Sequence, residues 1–97
     1  MEKQENNPNQ IQIRDNFAGA EYTNAMTVGH TKEEFLLTFL NVVAPAGRVV
    51  GKVITSPGHL KRIIRALDEN LKKYEKTFGP VEEAESPKQE IGFQSKD

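Results

Sequence analysis

The residues of this chain that could do chemistry most directly are two histidines, His30 and His59, and the carboxylates near them. Glu33 and Glu34 follow His30 closely, so an imidazole and a carboxylate could share a divalent ion. A catalytic zinc site uses about three protein ligands, and nothing in the spacing fixes the geometry of a third. A surface or capping role accounts for both histidines. Ser56, His59 and Asp68 supply the side-chain types of a hydrolytic triad. Ser56, however, stands just before Pro57 at the start of a periodic run, where its hydroxyl is committed to backbone N–H groups as a helix cap. The same Ser56-Pro57-Gly58 start would offer N–H groups to an anion. Pro57 removes one of those donors, and no Gly-rich phosphate loop accompanies it. These residues predict no catalytic site, no metal and no cofactor.

Charge suggests a different chemistry. Lys61, Arg62, Arg65, Lys72, Lys73 and Lys76 fall in one run with three acids, off the apolar stripe of that run. A nucleic acid would be held there electrostatically and in a salt-dependent way. The alternative is a solvated helix face. Asp68–Lys72 and Glu69–Lys73 have the spacing of favourable helical pairs, and lysines near a helix C-terminus complement its dipole. The aromatics fall on expected core positions, so no base-stacking surface is expected beside these cations. Nucleic-acid binding is thus the alternative to a protein-interaction domain.

With 97 residues the chain has room for one small domain, and 13 basic against 14 acidic residues create no strong global field. There is no cysteine, which removes disulfides, thiolate catalysis and Cys-type zinc sites. A small domain without such staples must rely on packing or on oligomerising. The start MEKQENNPNQ has no apolar signal region, and no apolar run is long enough to span a bilayer. The expectation is a cytoplasmic protein with no membrane contact.

The elements that would position these residues follow from periodicity. Residues 1–19 are polar and are expected to be disordered or loosely attached; residues 80–97 are expected to be an acidic disordered tail. A single α+β domain is expected over 20–79. Glu21 to His30 and Gly47 to Thr55 alternate as strands. Phe35 to Val42 reads either as a strand, by alternation, or as a helix opened by a Thr31–Glu34 capping box; the strand is preferred. Ser56 to Gly79 reads as one complete helix. Its cap is Ser56, its stop is Gly79-Pro80, and Leu60, Ile64, Leu67, Leu71, Tyr74 and Phe78 share a face. The fold class is a three-stranded antiparallel β-meander followed by one long C-terminal α-helix packed on one sheet face.

Three stretches carry a family resemblance: EFLLTF at 34–39, VITSP at 53–57 and YEKTFG at 74–79. With the sequence around them, from about Tyr22 to Gly79, they resemble a family of short bacterial and archaeal proteins catalogued as domain of unknown function 3467. The resemblance implies no activity and no catalytic residues. It favours a strand over 35–42.

Counting faces predicts a homodimer. The middle strand is apolar on both sides, with Phe35, Leu37 and Phe39 on one and Leu36, Leu40 and Val42 on the other. The third strand offers Val49, Gly51 and Val53 on one side and Val50 and Ile54 on the other. One helix cannot cover both sets. The uncharged Gly51 side is expected to take the helix, leaving Leu36, Leu40, Val42, Val50 and Ile54 as the candidate dimer interface. An alternative keeps the chain monomeric, with Ile91 and Phe93 folded back over that patch.

Overall fold

The computed structural model describes residues 8–86 and 91–94. Three strands, β1 (Ala25–His30), β2 (Phe35–Val43) and β3 (Ala46–Thr55), precede one helix, α1 (Pro57–Phe78). The sheet order is β1-β2-β3 and both pairings are antiparallel. This is the expected meander followed by a C-terminal helix. The expectation for the two tails falls partly on residues 1–7, 87–90 and 95–97, which lie outside the described residues.

The segment with two readings is a strand, and Thr31 explains its helix-like start. The Thr31 hydroxyl accepts hydrogen bonds from the N–H groups of Glu33 and Glu34, and the Thr31 N–H donates to the Glu34 carbonyl at 2.9 Å. The capping chemistry is present, but it closes a turn and not a helix. His30 then pairs with Phe35 across the hairpin, their rings 5.2 Å apart. At the other hairpin Val43 pairs with Ala46 over Ala44-Pro45, with the proline third in a four-residue turn.

β1 begins at Ala25, four residues later than alternation suggested, and Asn24 is the reason. Its side-chain amide donates to the Val42 carbonyl at 2.9 Å and accepts from the Val42 N–H at 2.8 Å. The amide thereby takes the place of a backbone pair and ends the ladder, while the Asn24 N–H still reaches the Leu40 carbonyl. Asn24→Ala is expected to cost about 1–2 kcal/mol, because two ladder groups lose their partners together. Urea unfolding measures this; an unchanged midpoint would mean that the strand end closes without the amide.

The β2–β3 register shifts between Phe39 and Leu40. Phe39 pairs with Gly51, but Leu40 pairs with Val49, so Val50 is an extra residue in the ladder. Val49 therefore lies on the Leu40 side of the sheet, not with Gly51 and Val53 as strict alternation predicted. One face carries Met26, Val28, Phe35, Leu37, Phe39, Gly51 and Val53. The other carries Leu36, Thr38, Leu40, Val42, Val49 and Ile54.

α1 has the expected ends. The Ser56 hydroxyl accepts from the His59 N–H at 3.1 Å, and the Gly79 N–H donates to the Glu75 carbonyl with Gly79 at φ +98°. That conformation suits glycine. The Glu75 carboxylate then accepts from the Val81 N–H at 2.9 Å and holds the chain as it leaves the helix.

Where the structure departs from expectation is the packing of this helix. No α1 side chain is buried. Leu60 and Ile63 are half-buried, but Ile64 is 59% exposed, Leu67 66% and Phe78 73%. The stripe expected to pack on the sheet stays largely in solvent. The cause is the connection. Only Ser56, itself extended, separates β3 from α1. Connections between strands and helices that lie back on their sheet run to about two to six residues. A single extended residue does not reverse the chain, so the helix is not laid back along its own sheet. The apolar core among the described residues is correspondingly small: Leu37 and Leu40 are 7% and 4% exposed, and no side chain is below 2%.

Candidate functional site

The side chains with catalytic potential do not converge. Ser56 caps α1, as its position suggested, and Asp68 lies twelve residues along the helix, about 18 Å away at the rise of an α-helix. Asp68 is engaged with the Lys72 ammonium at 2.9 Å. That hydrogen bond, with the attraction of the same carboxylate, raises the Lys72 pKa above its ordinary value. His30 packs its ring on Phe35, and His59 sits in the first helical turn. Among the described residues no three His, Asp or Glu side chains gather in a way that could hold a metal ion.

The basic residues are placed on α1 and are partly neutralised there. Lys72 pairs with Asp68 as expected, whereas Glu69 pairs with Arg65 at 3.9 Å in place of Lys73. Exposed pairs of this kind contribute little to stability but do reduce the field of the face. Lys61, Arg62, Lys73 and Lys76 are exposed cations along the same helix. Tyr74 and Phe78, expected in a core, are exposed and stack on one another with ring centroids 4.9 Å apart.

The apolar surfaces are what stand out. The Val53 face of the sheet is open: Met26, Val28 and Val53 are each about half-exposed around the buried Leu37. Its centre is uncharged; Arg48, opposite Asn41 and paired with Glu21 at 3.2 Å, stands at one end of it. A Cβ built on Gly51, near its centre, would meet no heavy atom within 4 Å.

The opposite face, where the dimer interface was expected, is exposed to a similar degree. Leu40 is buried there and Val42 and Val50 are half-buried, so only Leu36 and Ile54 of the five candidates are exposed. The C-terminal segment stands near one end of it. Ile91, Gly92, Phe93 and Gln94 line a cavity of about 490 Å³ together with Leu40, Val42 and Val49. Ile91 and Phe93 thus approach one end of the patch, in the direction the fold-back alternative described. The bulge that moves Val49 to this side helps to form that cavity; alternation in the sequence gave no signal for it.

The helix stripe, which sequence reasoning found but assigned to an internal core, is largely exposed. Among the described residues no helix is long and apolar enough to cross a membrane.

No curated protein and no solved structure matches the chain significantly. One family model does match, described as a protein of unknown function (DUF3467), over residues 1–83. The match extends past the 22–79 core through the exposed N-terminal segment that carries Ile11, Ile13 and Phe17. With most of its length matched, from the N-terminal segment through the meander to the end of the capped helix, this chain belongs to the DUF3467 family.

Proposed function

We propose that this protein is a non-catalytic protein-interaction domain that works as a homodimer, with a further protein as its partner. One observation carries the reading: α1 leaves its apolar stripe, Ile64 to Phe78, largely in solvent while the Val53 face of the sheet stays half-exposed. Apolar surfaces this extensive on a small soluble chain mark interfaces. A core of two buried leucines among the described residues is also too small to stabilise a domain of this size by itself. Association supplies the missing burial.

Sedimentation equilibrium tests the reading. At ~100 μM protein the expected mass is twice the 10.9 kDa of one chain. A mass of 10.9 kDa at that concentration would remove the homodimer and leave only binding to a different protein. Arg62→Glu, on the charged side of α1, is expected to leave the mass unchanged.

A further inference from the structure

The two uncovered apolar surfaces of this chain fit one another, although the chain cannot bring them together by itself. The stripe from Ile64 to Phe78 is uncharged, and so are Met26, Val28, Leu37, Phe39 and Val53 on the sheet face, whose one cation, Arg48, stands at one end beside Glu21. Their lengths agree. From Leu60 to Phe78 the helix runs about 27 Å, and the nine residues of β2 run about 30 Å. Gly51 leaves open space at the centre of the face, where a helix side chain can enter. The single extended residue between β3 and α1 keeps each helix from lying back along its own sheet.

We propose that two copies exchange helices, α1 of each lying along the Val53 face of the other's sheet. This rests on the homodimeric reading above and specifies how the copies meet. A second copy is the occupant because the same chain holds both halves of the contact, and a two-fold axis makes each contact twice. Stable interfaces bury roughly 800 Å² per partner, which is the area that two such contacts must supply. The Leu40 face is the poorer site, since Lys52 lies within it, opposite Thr38, and Ile91 to Gln94 stand near one end of it.

The test uses the absence of cysteine from the natural chain. One full-length copy carries Gly51→Cys, a second, differently tagged copy carries Leu67→Cys, and the two are mixed and treated with a short bismaleimide. The expected product is a covalent pair containing one copy of each. Pairs formed only between two Leu67→Cys copies would show helix against helix, overturning the exchange while keeping the homodimer. A monomer mass, with cross-linking only inside a chain carrying both cysteines, would overturn the homodimer as well. Val53→Lys and Ile54→Lys give a second readout, because these neighbours lie on opposite faces. Val53→Lys is expected to weaken association by roughly 30-fold or more, as for a central interface residue. Ile54→Lys is expected to change it little. The reverse order would move the interface to the Leu40 face. If Val53→Lys does not fold, the cross-link decides.

Discussion

Leu67→Ala is expected to lower stability by roughly 2–5 kcal/mol at protein concentrations where the proposed dimer would form, and by well under that in the dissociated chain. The size of the effect depends on where Leu67 is buried. In the single chain it is 66% exposed, so removing it leaves no cavity there. In the proposed dimer it would lie within the contact, and each of the two copies would lose packing. Urea unfolding at two protein concentrations separates the cases. Mass action makes the wild-type midpoint rise with concentration if folding and association are coupled. The Leu67→Ala midpoint should fall below it, most clearly at the higher concentration. A change below about 1 kcal/mol at both concentrations would mean that this stripe is covered by nothing, contrary to the usual cost at a buried leucine.

Leu40→Ala is the second large effect, also roughly 2–5 kcal/mol. Leu40 is the most buried apolar side chain among the described residues. It lies between Ala25 on β1 and Val49 on β3, at the register shift. Its carbonyl also accepts from the Thr23 hydroxyl at 2.8 Å and from the Asn24 N–H at 3.0 Å. Truncation leaves those backbone contacts in place but opens a cavity between all three strands. The loss should be similar at every protein concentration, because the site lies within one chain. In the cross-linking experiment the Gly51–Leu67 pairing should persist at temperatures where the variant still folds. A loss below about 1 kcal/mol would mean that the sheet closes around the smaller side chain, since the cost of such a truncation depends on how well the site collapses.

The two substitutions differ by the kind of information that predicts them. Local signals in the sequence determined the elements and most of their ends. Apolar alternation marked the strands, Ser56-Pro57 opened the helix, and Gly79 closed it. These signals are legible because each depends on residues within one turn or one strand. Thr31 was legible too, though in a misleading form: a hydroxyl that accepts from the next N–H groups serves a helix start and a hairpin turn equally well. Only the strand paired beside it decides between them.

The tertiary structure decided what no local pattern carries. One extra residue at Val50 moved Val49 to the opposite face, because alternation counts residues along one strand while the face depends on pairing with its neighbour. Asn24 ended β1 by pairing with Val42, a residue eighteen positions away. The direction of α1 was decided by the one-residue link at Ser56. The helix and the sheet have matching lengths, but lengths say nothing of whether the chain can turn between them. The sequence by itself therefore determined which segments are apolar and where most of them begin and end, but not every face. The tertiary structure determined that the chain does not bury them against each other, because burial depends on chain direction as well as hydrophobicity.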